Sequence, residues 1–239
     1  MCYNYVYNMK YEIKYEPSYA MLVAELEANE RITGEAGSMT YMSPNIEVVT
    51  RMRERGILGA LGVSIFGGQS FFVNDYVAKD RSGKIGLTAA PVGDIQILKV
   101  EPGNGYIIQK SGYLASTQDI ELDIKWEGFS KGLFGQGLFM IKTYGRGDLF
   151  INTYGAIDKH ELGPGEELIV DNFHLVAFND SCDYRVEGFG GLKETIFSGE
   201  GFITRIRGPG EVYIQTKNVR ELVDWLWVLL QRRVQTRSR

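Results

Sequence analysis

GKIGLTA (83–89), GDLFINT (147–153) and GEVYIQT (210–216) are three versions of one heptapeptide. Each follows a second related segment: GQSFFV (68–73), GQGLFM (135–140) and GEGFIT (199–204). A third set precedes both, and NERITGEAGSM (29–39), NGYIIQKSGYL (104–114) and GEELIVDNFHL (165–175) align without a gap. The three sets recur in one order at intervals of roughly 60 to 75 residues, the signature of a structural repeat. IEVVTR (46–51) matches IELDIK (120–125) and, more weakly, CDYRVE (182–187). Apolar and polar residues alternate in these segments rather than recurring every 3.6 residues, so they read as strands.

The turns carry their own chemistry. EPGNG (101–105), GPGEE (163–167) and GPGE (208–211) set Pro where φ is fixed near −65° and Gly where φ must be positive. Each unit thus reads as turn, strand, strand, glycine-rich connection and a hairpin beginning near Gly68, Gly135 or Gly199. The expected architecture is all-β, a double-stranded β-helix or β-sandwich built from three hairpin repeats, about 21–89, 98–153 and 162–216. These fill one cooperative domain over 1–218, because a single repeat cannot bury a face alone. An approximate threefold axis is expected to relate them.

The last segment changes period. In NVRELVDWLWVLLQRR (218–233), Leu222, Trp225, Leu226, Leu229 and Leu230 form a helical stripe, which Val223, Trp227 and Val228 widen until little polar surface remains. Asn218 is placed as N-cap with Glu221 three residues on, and Arg232 and Arg233 lie at the negative end of the helix dipole. Residues 219–239 therefore read as a helix with a basic tail.

Composition narrows the function classes. The 239 residues include 29 Gly, 6 Pro, 14 Tyr and 12 Phe, which suits many short strands and tight turns. A net charge of −4 argues against nucleic-acid binding over the whole surface. Cys2 and Cys182 have no CxxC spacing, so a reducing cytoplasm is expected rather than a disulfide framework. The N-terminus lacks a secretory pattern, and no apolar run reaches the ~18–20 residues of a spanning helix, so membrane contact is expected to be peripheral at most.

Candidate chemistry is sparse. His160 and His174 have no metal-ligand spacing, although Asp158, Glu161 and Asp171 are near in sequence; His174, between Phe173 and Leu175, reads as a surface or barrel-mouth residue on a strand. GVSIF (62–66) fails as a nucleophile elbow at Phe66. Cys182 reads as a small buried hydrophobe, Glu166 and Glu167 as turn residues, and Asp94 as a turn or cap. GPGEEL lacks the third glycine and following helix of a dinucleotide loop. No catalytic, cofactor-binding or metal-binding residue is assigned, and no cofactor is expected. The connection RMRERGILGALGVSIFGG (51–68) is uncharged from Gly56 to Gly68. Its Leu58, Leu61, Ile65 and Phe66, with Trp225, Trp227, Arg232 and Arg233, are the candidate contacts for a partner or a membrane.

Beyond these patterns, GGQSFFVNDYVA (67–78), VGDIQIL (92–98), GYLAS (112–116), GQGLFMIKTYGRGDLFINTYGAI (135–157), DNFHLVAF (171–178) and FSGEGFITRIRGPGEVYIQTKN (197–218) resemble the mitochondrial-biogenesis family named for altered inheritance of mitochondria. The resemblance runs from about residue 10 to 230. It implies a fold like that of the tryptophan RNA-binding attenuation protein, with internal repeats mimicking a small oligomer. It supplies no catalytic residue, and the attenuation protein's basic ring has no counterpart here. The expected function is a non-catalytic, self-associating scaffold or binding module, a homo-oligomer in the cytoplasm, linked through its relatives to membrane organisation. The alternative is a barrel whose mouth binds a small molecule or metal, which requires His160, His174 and carboxylates to converge.

Overall fold

The computed structural model describes residues 9–52, 71–88, 92–127, 138–188 and 202–237. After β1 (Lys10–Lys14) come β2 (Met21–Leu26), β3 (Arg31–Glu35), β4 (Met39–Met42), β5 (Ile46–Met52), β6 (Phe72–Ala78) and β7 (Gly83–Leu87). The next six are β8 (Ile95–Val100), β9 (Tyr106–Gln109), β10 (Tyr113–Thr117), β11 (Ile120–Glu127), β12 (Leu138–Gly145) and β13 (Gly147–Asn152). The last six are β14 (Ile157–Leu162), β15 (Glu167–Asp171), β16 (Leu175–Asn179), β17 (Asp183–Gly188), β18 (Phe202–Arg207) and β19 (Gly210–Gln215), followed by helix α1 (Val219–Arg237). The chain is thus all-β with a C-terminal helix. β1 lies ahead of the first repeat expected from sequence, which starts near residue 21.

Pairing is antiparallel throughout the named strands and follows one scheme in each set of six. β5–β6–β3, β11–β12–β9 and β17–β18–β15 form one kind of triplet; β2–β7–β4, β8–β13–β10 and β14–β19–β16 form the other. The second triplets all slip register at one place, between Met39 and Tyr41, Tyr113 and Ala115, and Leu175 and Ala177. Such a bulge bends a strand and increases its twist. The first triplets correct the gapless alignment by one residue. Gly34 pairs with Asn74, Ile108 with Ile141 and Ile169 with Arg205, so Gly34 stands where Ile108 and Ile169 stand. Cross-strand partners fix register here, and linear similarity does not record them.

β3 pairs with β10 and β9 with β16, which joins the triplets into two six-stranded sheets. The outer sheets are β1-β2-β7-β4 and β15-β18-β17. Three apolar cores lie between the four layers. Leu22, Leu26, Ile85 and Leu87 of the first sheet meet Tyr76, Leu114 and Phe150 of the second. Val73, Leu98, Leu149 and Ile151 of the second meet Tyr106, Ile108, Ile141 and Tyr213 of the third. Ile107, Met140, Phe178 and Val212 of the third meet Val170 and Ile206 of the fourth. Both central sheets are buried on both faces, so β10 and β16 are buried at every residue and the expected polar alternation is lost there.

A closed threefold arrangement would need a third junction, β15 with β4, and the chain does not make it. The starts of the three sets lie side by side. Ala20 donates its N–H to the Gly93 carbonyl, and Gly93 bridges Gly155. A Cβ on Gly93 would run into the Thr153 carbonyl oxygen, which explains glycine at this crossing.

Candidate functional site

Among the sheet edges of the described residues, β4 and β15 stand out, because their counterparts in the other sets are paired. β10 and β16 each have a strand on both sides, whereas β4 pairs only with β7 and β15 only with β18. Unpaired edge N–H and C=O groups are a template for another strand. Their side chains match that state: Tyr41 is 42% exposed and Ile169 48% exposed.

Tyr41 departs from its counterparts in the other two sets. Tyr41 faces Gly86, Ala115 faces Phe150, and Ala177 faces Tyr213. Each pair holds one aromatic and one small residue, with the aromatic moved to the other strand in the first pair. A side chain at Gly86 would collide with the Tyr41 ring, so the glycine accommodates it. Phe150 and Tyr213 are buried by the neighbouring sheet, 0% and 4% exposed. Tyr41 belongs to the matching pair of the first set, and it is left 42% exposed.

Charged clusters mark the matching hairpins. Glu25 pairs with Lys84, Lys99 with Asp148 and Lys159 with Glu211. Tyr11 donates to Asp148 at 2.8 Å and packs edge-on against Phe150. Tyr213 and Tyr106 both donate to Glu211, at 2.7 and 3.2 Å. Burial raises the Glu211 carboxyl, but hydrogen bonds from Lys159 and Tyr213 outweigh it and hold the group below its usual value. Burial, followed by the bond to Glu211, pushes Tyr213 well up. The bonds to Glu211 and Glu161 push Lys159 up. A phenol held protonated and an amine held charged supply neither base nor nucleophile at neutral pH.

Asp75, fully buried on β6, accepts from Thr33 at 2.7 Å and is ion-paired with Arg51 and Arg31. Arg31 also donates to the Gln118 carbonyl, tying β3 to the turn after β10. This cluster braces the first junction.

The histidines have separate partners. His160 contacts Asp158 at 3.1 Å on β14. His174 lies in the turn before β16 rather than on a strand, and it contacts Gln215 and Asn218. Its half-buried place follows from the helix start that it supports. Among the described residues no group of three or more His, Cys, Asp or Glu could hold a metal ion. Cys182 is a buried free thiol against the Pro209 carbonyl; burial raises its pKa, as do Asp183 and Asp180. Glu166 accepts from Gly163 N–H within its turn, and Asp94 accepts from Ile95 N–H.

Helix α1 starts where the sequence places it, with Asn218 accepting the Glu221 N–H at 2.8 Å. It continues to Arg237, beyond the expected stripe. Trp225 and Trp227 are exposed, as are Val223, Leu226 and Leu230. No described helix is long and apolar enough to cross a membrane. Arg232 and Arg233 lie on this helix, while Leu58, Leu61, Ile65 and Phe66 lie outside the described residues. Gly68, Gly135 and Gly199 lie outside them too.

The mitochondrial biogenesis AIM24 family model matches residues 11–217. An uncharacterised protein of Streptococcus pyogenes is 32% identical over 210 residues, spanning 84% of this chain and 83% of its own. The X-ray crystal structure of a Streptococcus pyogenes protein superposes with a TM-score of 0.78 at 28% identity, covering 92% of this chain and 99% of that one. The family match over most of the chain and the similarity to the streptococcal protein show that the chain belongs to the mitochondrial biogenesis AIM24 family.

Proposed function

We propose that this protein is a non-catalytic scaffold whose copies join head to tail, β15 of one against β4 of the next, in the cytoplasm or at a membrane surface. The observation that carries this reading is the pair of open edges that repeats, at the chain's two ends, a junction already made twice inside it. Ala115 opposite Gly34 and Ala177 opposite Ile108 supply the register. Transferred to the open edges, it sets Tyr41 opposite Ile169 and Met42 opposite Leu168. The contact would give Tyr41 the cover that Phe150 and Tyr213 have. A contact between two different surfaces closes into a ring or grows into a filament, according to its rotation. Sedimentation velocity over a dilution series tests this. Species larger than the monomer, a closed ring or a growing filament, are expected, and a monomer at every concentration would refute the reading.

The terminal helix supports a second role for the same scaffold. Trp225 and Trp227 stand exposed on a helix that is apolar almost all round, and such a helix is stable when buried. We infer that α1 rests in the interfacial layer of an anionic membrane, with Trp225 and Trp227 at headgroup level. Flotation with anionic vesicles should be lost in a Trp225→Asp, Trp227→Asp double variant. If the variant floats as well as the parent, lipid contact lies elsewhere.

A further inference from the structure

We propose that His174 is a pH-sensitive latch on the start of α1. Its Nδ1 lies 2.7 Å from the Gln215 carbonyl oxygen, which can only accept, so Nδ1 carries the proton of the neutral ring. Nε2 then presents a lone pair, 2.9 Å from the Asn218 side-chain nitrogen. The Asn218 amide is oriented from its other side too, because its oxygen accepts the Glu221 N–H. Ring tautomer and amide orientation therefore determine each other. Asn218 is buried, while most of α1 beyond it is exposed.

A second proton on the ring inverts this arrangement. Nε2–H and the Asn218 amide N–H then face each other as two donors. The amide cannot turn to offer its oxygen without withdrawing it from the Glu221 N–H. The imidazolium has another acceptor close by, since Glu221 Oε1 stands 3.7 Å from Nε2. The positive end of the helix dipole also opposes a cation here. The other charged or titratable groups nearby are Asp171, whose carbonyl accepts the His174 N–H; Arg220, over the Phe173 ring and paired with Asp224; Lys217, beside the cap; and Tyr154, whose N–H binds the Gln215 side chain. Acidification therefore exchanges the Asn218 cap for a His174–Glu221 ion pair and loosens the first turn of α1.

Hydrogen exchange of amides 221–224, corrected for intrinsic rates, tests the latch at about pH 7.5 and about pH 5.5. Protection should fall about fivefold at the lower pH, the equivalent of losing one N-cap. In His174→Gln it should be the same at both values. Histidine NMR of the parent supplies a readout that needs no variant, and Nε2 protonation should track the exchange. Protection that does not change with pH, or changes equally in His174→Gln, would overturn the proposal.

Discussion

Replacing Ile169 by Asp should dissolve the head-to-tail contact and leave the protomer folded. Ile169 is 48% exposed on a strand with one neighbour, and Arg205 lies opposite it. Full burial of an isoleucine contributes about 1.5–3 kcal/mol, so covering the exposed half contributes about 1 kcal/mol per interface. The carboxylate would face Tyr41 in a dehydrated contact, at a further cost of about 2–3 kcal/mol. The sum, about 3–4 kcal/mol, weakens association more than 100-fold. Within the protomer the same change removes only half-buried apolar surface and sets a carboxylate beside Arg205, a loss of about 1 kcal/mol or less. The assay is sedimentation velocity over a dilution series, with thermal melting by circular dichroism as the folding control. Tyr41→Asp, on the opposite edge, should behave alike. Variants that stay folded and associate as the parent does would refute the β15–β4 contact.

Two predictions concern the protomer itself. Burial, offset in part by Lys110, pushes Glu35 up to about 7. Its folded value exceeds its unfolded one, so its stability contribution is fully present below about pH 4.5 and is lost as pH rises through about 7. Glu35→Gln should therefore be more stable than the parent at pH 8, by up to roughly 3 kcal/mol, and lose that advantage near pH 4. Urea melts at both values decide it, and a pH-independent difference would contradict the burial argument. Asp75→Ala removes the acceptor of Thr33 and the partner of Arg31 and Arg51. Both guanidiniums reach solvent, so the expected loss is about 2–4 kcal/mol, below that of a fully enclosed pair. The midpoint should fall by roughly 5–15 °C, and an unchanged melt would show that the cluster braces nothing.

Much of the fold was legible in the residues. The Gly-led heptapeptides begin β7, β13 and β19, and the turn glycines Gly103 and Gly165 have φ of +81° and +84° as their turns require. The Asn218 cap was legible because capping is local, involving one side chain and an N–H three residues on. β1 was not, since its stability comes from pairing with β2 and from Tyr11 packing on Phe150, a contact across 139 residues of chain. The role of His174 was hidden for the same reason: its partners, Gln215 and Asn218, lie more than forty residues away.

Strand class, turn positions, segment similarity and the terminal helix could be read from the residues, because each depends on backbone preferences within a few residues. Tertiary structure alone decided which strands pair across the sets, which faces are dry on both sides, and that β4 and β15 are left open. Edge pairing depends on what lies beside a strand in space, and similar segments cannot say which of them comes last in the stack.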